Sequence, residues 1–238
     1  MNAKKIKIGV IVFPGSNCDE DCRFAFARDF GVETHLIWHK EKSLGDCNAV
    51  ILPGGFSYGD YLRCGAIAKF SPVMKAVIRF ANEGNPVIGI CNGFQILVES
   101  GLLPGALIRN RDLRFICKTV TLKVVNTQTP FTHLCKKNQK LQLPIAHGEG
   151  NYIAEPHVIE SLQEKNQIVF QYCDDSGALT PESNPNGALL NIAGIVNEHR
   201  NVLGMMPHPE RACSPALSST LGLDGKLIFG SLLEFLKT

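Results

Sequence analysis

The chain has 238 residues, of which 45% are hydrophobic and 19% are charged, so it is long and apolar enough to bury a sizeable core. A formal net charge of +2 gives no reason to expect a nucleic acid or a membrane surface as partner. The nine cysteines are scattered without a C-x-x-C pair, which fits neither a disulfide framework nor a zinc ribbon and favours the reducing cytoplasm. No apolar stretch approaches the length of a membrane span.

The first hundred residues alternate between strand and helix patterns. Strands are predicted at Ile6–Phe13, Glu33–Trp38, Ala49–Leu52 and Pro86–Ile90. Ser16 or Asn17 is expected to cap a helix that ends near Phe30, and Ser71 is expected to cap a second helix that ends at Gly84. This alternation predicts an α/β protein with a mostly parallel sheet flanked by helices. Ligands bind such sheets at the carboxyl ends of the strands.

The second half of the chain contains shorter strand patterns. They are Thr119–Val125, Leu141–Ile145, Tyr152–Ala154 and Ile168–Gln171, followed by a hairpin of Ile192–Val196 and Val202–Met206. Asp224 is expected to cap a last helix, and the segments 104–113 and 127–140 show the least pattern. Because no repeat, linker or low-complexity stretch interrupts the chain, we expect one domain over residues 1–238.

Cys91 is the candidate nucleophile. The apolar run Val87–Ile90 ends at this cysteine, Gly89 and Gly93 lie two residues to either side of it, and a helical pattern follows. The same strand–turn–helix arrangement presents the serine of a nucleophile elbow. A helix N-terminus favours the thiolate, which is the nucleophilic form of cysteine. A small buried apolar residue is the alternative for any one cysteine among nine.

A cysteine nucleophile needs a base, and the base needs an orienting carboxylate. The pairs His147–Glu149 and His208–Glu210 each place a glutamate two residues after a histidine. In an extended chain, residues i and i+2 point to the same side, so either carboxylate could reach its imidazole. We favour His208 and Glu210, because Pro209 restricts the backbone between them and because a predicted strand leads into His208.

Acyl transfer also requires donors for an oxyanion. The N–H of Asn92, directly after the cysteine, is one candidate, and the pair Gly54–Gly55 after the third strand is another, although a plain turn would explain two glycines equally well. The two His-x-Glu pairs could instead gather around zinc, but no H-E-x-x-H helix and no P-C-x-x-C motif accompanies them. No phosphate-binding loop is present either, so we expect neither a metal nor a cofactor on this chain.

Three blocks of the chain, in their order and spread, resemble the class I (triad-type) glutamine amidotransferases. They are Leu52–Phe56, Gly89–Gln95 and Met206–Arg211. Four further segments make the resemblance closest to the members of this family that serve purine biosynthesis. These segments are Phe13–Asp19, Gly54–Ala66, His147–Gly150 and Asn184–Gly187. The resemblance implies a flavodoxin-like fold with added short antiparallel strands.

The resemblance also implies a role for each site residue. Cys91 would attack the side-chain amide of L-glutamine, and His208, oriented by Glu210, would pass a proton to the leaving ammonia. The N–H groups of Gly55 and Asn92 would hold the oxyanion. A γ-glutamyl thioester would form and be hydrolysed by water.

Two further residues and the partners follow from the same resemblance. Gln95 and His147 would bind the substrate. The ammonia would pass to a large synthetase subunit that binds ATP and Mg²⁺ and converts formylglycinamide ribonucleotide to formylglycinamidine ribonucleotide, with a small third subunit in the complex. The alternatives are a cysteine peptidase or deglycase of related fold, which the His–Pro–Glu sequence disfavours, and a non-catalytic docking subunit, which the intact Cys91 disfavours.

Overall fold

The computed structural model describes residues 5–215 and 222–238. Within them the strands are β1 (Lys7–Val12), β2 (Glu33–Trp38), β3 (Ala49–Leu52), β4 (Val87–Ile90), β5 (Ala106–Ile108), β6 (Ile116–Val124), β7 (Lys140–His147), β8 (Asn151–Ile153), β9 (Ile168–Cys173), β10 (Ile192–Val196) and β11 (Val202–Met205). The α-helices are α1 (Asp19–Phe24), α2 (Pro72–Asn82), α3 (Asn92–Glu99), α4 (Pro156–Glu164) and α5 (Gly225–Phe235). A π-helical turn, Ala25–Asp29, continues α1.

One nine-stranded sheet has the order β2-β1-β3-β4-β11-β10-β9-β6-β7, and β5 pairs with β8 in a separate ribbon. Strands β2, β1, β3, β4 and β11 run parallel, whereas β10, β9, β6 and β7 extend the sheet by antiparallel pairing. The predicted fold class is thereby confirmed: a mostly parallel sheet is flanked by helices and carries added antiparallel strands. The predicted hairpin is also present, as β10 and β11.

The centre of the sheet forms the core. Every residue of β3 and β4 is buried, as expected of parallel strands covered on both faces. The buried apolar side chains of the sheet and its helices form one contiguous cluster. Strands β3, β4 and β11 lie side by side in this core, so the segments after their carboxyl ends converge.

Ser71 and Asp224 occupy the predicted N-cap positions, whereas the N-cap of α1 is Cys18, and none of the predicted side chains makes a capping hydrogen bond. Helix α1 begins at Asp19, because the Ser16 hydroxyl accepts a hydrogen bond from the N–H of Phe13 (3.2 Å) instead of capping the helix. Ser71 occupies the predicted cap position of α2, but its hydroxyl bonds the Tyr58 hydroxyl (2.8 Å). Asp224 precedes α5 as predicted, but its carboxylate accepts from the backbone of Gln142 (2.7 Å). Ser16 thus closes a local turn, whereas Ser71 and Asp224 bond segments farther away in the chain.

Two elements were not predicted. The segment 104–113 contains β5, and helix α4 lies between β8 and β9. All nine cysteines are free thiols, as their scattered positions indicated. None of the helices in residues 5–215 and 222–238 is long and apolar enough to cross a membrane.

Candidate active site

Cys91 lies at a sharp turn between β4 and α3. Its backbone, at φ 50° and ψ −106°, is neither helical nor extended, a conformation that costs an L-residue energy and clusters at functional sites. The turn is held because the Cys91 N–H donates to the Met205 carbonyl of β11 (2.8 Å). A Cβ at Gly93 would overlap the carbonyl oxygen of Leu52 in β3, so only glycine lets α3 approach the sheet this closely. The predicted strand–turn–helix geometry is therefore present.

His208 and Glu210 form a buried pair beyond the end of β11. The Nδ1 atom of His208 is 2.6 Å from Oε1 of Glu210, and both side chains are excluded from solvent. The predicted contact is present, but its cause differs from the one expected, because Pro209–Ala212 forms a turn of 3-10 helix rather than an extended chain. Since the carboxylate accepts from Nδ1–H, the lone pair of the neutral imidazole lies on Nε2, which has no hydrogen-bond partner among the described residues.

Gly54 brings this pair next to the nucleophile. A Cβ at Gly54 would lie 2.7 Å from Cε1 of His208 and 3.4 Å from Cβ of Cys91, so the two side chains flank the glycine at close range. Burial by itself lowers the pKa of His208, but the Glu210 carboxylate and the Cys91 sulfur hold that pKa well above its ordinary value. The imidazole is therefore a strong proton acceptor beside Cys91.

A cavity of about 300 Å³ opens over Cys91, and its wall includes Gly55, Gln95 and His147. The Gln95 side chain accepts from the Asn92 amide (2.8 Å) and donates to the Glu149 carbonyl (2.6 Å). It thereby ties the start of α3 to the segment after β7. A volume of this size is at the lower end for small-molecule sites, which fits a ligand as small as a single amino acid.

Charged side chains also line this cavity. Asp60, Arg109 and Glu149 contribute to its wall, and the Arg109 guanidinium is 3.9 Å from the Glu149 carboxylate. Burial raises the pKa of the Asp60 carboxyl. Neither Asp60 nor Arg109 could be assigned a binding role from the sequence, because a lone charged residue in a loop is most often solvated.

His147 does not pair with Glu149, the partner that the His-x-Glu spacing indicated. Its Nδ1 atom is instead 3.1 Å from Oδ1 of Asn110, and both side chains are buried. Glu149 faces Arg109, because β7 ends at His147 and the chain bends there. Burial and the neighbouring His208 lower the pKa of His147 to about 4. Asn110 lies in the segment 104–113, where the sequence showed no pattern.

The zinc arrangement considered for the two His-x-Glu pairs is not formed. Among the described residues, ligand atoms within 4.8 Å of one another come instead from Cys18, His208 and Glu210. The Arg211 guanidinium is 3.1 Å from the Cys18 sulfur, and its positive charge disfavours a cation at that point. The arrangement is better suited to proton transfer than to metal binding.

A strained cysteine elbow, a buried His–Glu pair and a sheet of this topology define the triad-type glutamine amidotransferases. Residues 5–225 match the model of the CobB/CobQ-like glutamine amidotransferase domain, and the chain belongs to this family. The family resemblance predicted from the sequence is thereby confirmed.

Individual relatives narrow the comparison. The chain is 59% identical over 231 residues to the phosphoribosylformylglycinamidine synthase subunit PurQ of Chlorobium chlorochromatii (strain CaD3), covering 97% of each chain. It is 56% identical to the PurQ subunit of Chlorobaculum parvum, covering 97% of this chain and 90% of that one. A chain in the structure of PurLQS from Thermotoga maritima matches with a TM-score of 0.85 at 43% identity, covering 98% and 99% of the two chains. A glutamine amidotransferase of Thermotoga maritima, 17% identical with a TM-score of 0.59 and 98% of each chain covered, shares the fold.

Proposed function

We propose that this chain is the glutaminase subunit of a phosphoribosylformylglycinamidine synthase. The observation that carries the proposal is the cysteine elbow at Cys91 beside the buried His208–Glu210 pair, in a chain 59% identical to a PurQ subunit over 97% of its length. The cysteine peptidase alternative and the docking-subunit alternative are not favoured. We also propose that residues 1–238 form one domain and that the protein acts in the cytoplasm.

The reaction follows from the charges around Cys91. The thiolate attacks the side-chain amide carbon of L-glutamine, and a carbon–sulfur bond forms as the carbonyl becomes an oxyanion. The N–H groups of Gly55 and Asn92 donate to that oxyanion. His208 gives its proton to the amide nitrogen, the carbon–nitrogen bond breaks, and ammonia leaves a γ-glutamyl thioester. His208 then takes a proton from water, which attacks the thioester and releases glutamate and the Cys91 thiolate.

The charged side chains that line the cavity fit the α-amino and α-carboxylate groups of glutamine. The carboxylates of Glu149 and Asp60 suit an α-ammonium group, and the Arg109 guanidinium suits an α-carboxylate. Gln95 supports this recognition through its hydrogen bond to the Glu149 carbonyl (2.6 Å). The amide end of the substrate would then point toward Cys91.

The ammonia has to reach a second active site. We propose that it passes to a large synthetase subunit, which binds ATP and Mg²⁺ and amidates formylglycinamide ribonucleotide, with a small third subunit completing the complex. The mouth of the cavity offers a surface for the synthetase, because the rings of Phe56 and Phe115 stack there with centroids 6.5 Å apart and are both exposed. Tyr61 and Leu62, which are also exposed, continue this surface along the loop 54–66.

Covalent labelling tests the proposal. The assembled complex is treated with a glutamine-analogue affinity label, and the modified residue is identified by mass spectrometry. We expect the label on Cys91, with the other eight cysteines as internal controls. A label on another cysteine, or none with the synthetase present, would contradict the assignment of the nucleophile. Production of formylglycinamidine ribonucleotide from glutamine by the same complex identifies the acceptor.

A further inference from the structure

The amide of Asn110 has only one possible orientation. Its Nδ2 group donates to two backbone carbonyls, those of Arg114 and His147, each at 2.8 Å. Both amide hydrogens are therefore used, and Oδ1 is left as an acceptor. This oxygen accepts from the N–H of Gly150 (3.0 Å) and lies 3.1 Å from Nδ1 of His147.

The orientation of Asn110 fixes the tautomer of His147. Because Oδ1 can only accept, Nδ1 of His147 carries the hydrogen, and the lone pair of the neutral ring lies on Nε2. That nitrogen is buried and has no hydrogen-bond partner among the described residues. A Cβ at Gly150 would lie 2.5 Å from Nδ1 and 2.7 Å from Nε2 of His147, so the glycine backbone packs directly against the ring and restricts its rotation.

His147 is thus a buried acceptor in the wall that surrounds Cys91. A buried polar atom without a hydrogen-bond partner is uncommon and costly, which points to a ligand that donates a hydrogen bond to Nε2. The amide nitrogen of glutamine is the donor that the proposed reaction brings to this cavity. Burial and the nearby His208 lower the pKa of His147 to about 4, so its lone pair is retained at neutral pH.

We propose that His147 is a second catalytic histidine, whose Nε2 accepts a hydrogen bond from the leaving nitrogen of glutamine, and that Asn110 is its positioning residue. The inference rests on the proposed function. In the amide the nitrogen is neutral, but when His208 protonates it in the tetrahedral intermediate it carries a positive charge. A hydrogen bond to Nε2 is then charge-assisted and strongest as the carbon–nitrogen bond breaks, so it accelerates release of ammonia.

Two substitutions test the roles of the two imidazole nitrogens separately. His147→Asn keeps a donor near the position of Nδ1 and removes the acceptor, whereas His147→Gln places an amide oxygen near the position of Nε2. His157→Asn, at an exposed position of α4, is the matched control. The assembled complex is assayed by single-turnover acylation with glutamine and with glutamic acid γ-methyl ester, whose leaving oxygen has no hydrogen to donate to Nε2.

We expect acylation of the His147→Asn variant by glutamine to be roughly ten- to a hundredfold slower than in wild type, the range for a hydrogen bond to a charged group. With the ester, acylation should be less than about threefold slower. His147→Gln should recover most of the glutamine rate, and ¹⁵N spectra of histidine-labelled protein should show His147 protonated at Nδ1. Equal losses on both substrates, or protonation at Nε2, would overturn the assignment. A wild-type complex that cleaves the ester but not glutamine would instead overturn the proposed function.

Discussion

Replacing Glu210 by glutamine should lower both the stability of the protein and its kcat, because Glu210 is the buried partner of His208. Glu210→Gln keeps the shape of the side chain but removes the buried negative charge 2.6 Å from Nδ1. Breaking a buried ion pair by neutralising one partner costs about 3–5 kcal/mol, and each unit by which the pKa of His208 falls accounts for about 1.4 kcal/mol of that. Loss of the orienting carboxylate of a triad reduces kcat by about 10⁴-fold.

The destabilisation should depend on pH in a defined direction. The folded-state pKa of His208 is raised, so its stabilising contribution is complete below the unfolded value of about 6.5 and is lost as the pH rises through the folded pKa. The difference in free energy of unfolding between wild type and Glu210→Gln should therefore be largest near pH 6 and shrink at alkaline pH.

Urea denaturation at a series of pH values measures the stability difference, and glutaminase assays of the assembled complex measure kcat. Glu234→Gln, which removes an exposed carboxylate paired with Lys237 on the last helix, is the matched control and should change stability by less than about 1 kcal/mol. A Glu210→Gln protein that matches wild type in stability at pH 6 and retains a tenth or more of kcat would refute the assignment of a charged His–Glu pair.

Three further substitutions, and a control for the last of them, test the nucleophile, its turn and the core. Cys91→Ala should lower glutamine-dependent activity of the complex by several orders of magnitude while ammonia-dependent activity survives; loss of both would indicate misfolding or failed assembly. Gly93→Ala should lower the free energy of unfolding in urea by about 3 kcal/mol, the upper part of the range for overpacking, because its methyl group would overlap the Leu52 carbonyl; wild-type stability would contradict that geometry. Phe26→Ala should lower the free energy of unfolding by about 3–5 kcal/mol, since that ring is fully buried with its centroid 4.4 Å from that of Phe229. Phe24 is half-exposed, so Phe24→Ala should change the free energy of unfolding by less than about 0.5 kcal/mol. Equal losses in the two variants would contradict the packing.

Strands β1, β3 and β4 could be predicted from the sequence because they are rich in apolar residues that lie on both faces and because a glycine follows each of them within three residues. β2 and β3 have the predicted bounds, β1 is one residue shorter than predicted at each end, and β4 begins one residue later than predicted. Helix α4 could not be found in the same way, because it buries only Leu162 and its polar positions hide the helical period. Strand β5 has three residues and pairs with β8, more than 40 residues later, so no local pattern marks it.

The same distinction between local sequence patterns and long-range contacts applies to the candidate site. Cys91, His208 and Glu210 could be predicted because the strand, the glycines and the two-residue spacing are local in sequence. Asn110 could not, because its contact with His147 spans 37 residues and depends on how two loops fold together. The spacing even indicated Glu149 as the partner of His147, and this was wrong because spacing carries no information on where the chain bends.

The two histidines beside Cys91 differ in acidity because their partners differ in charge. His208 faces a carboxylate 2.6 Å away and its pKa is raised, whereas His147 faces a neutral amide and its pKa is lowered to about 4. Environments that separate the pKa values of neighbouring groups assign them different roles. An enzyme that releases ammonia for a later attack has two requirements. One group must deliver a proton to the leaving nitrogen. The surroundings must then not protonate the released ammonia, since ammonium is not a nucleophile. A neutral His147 meets the second requirement: it can bind ammonia as an acceptor and cannot convert it to ammonium.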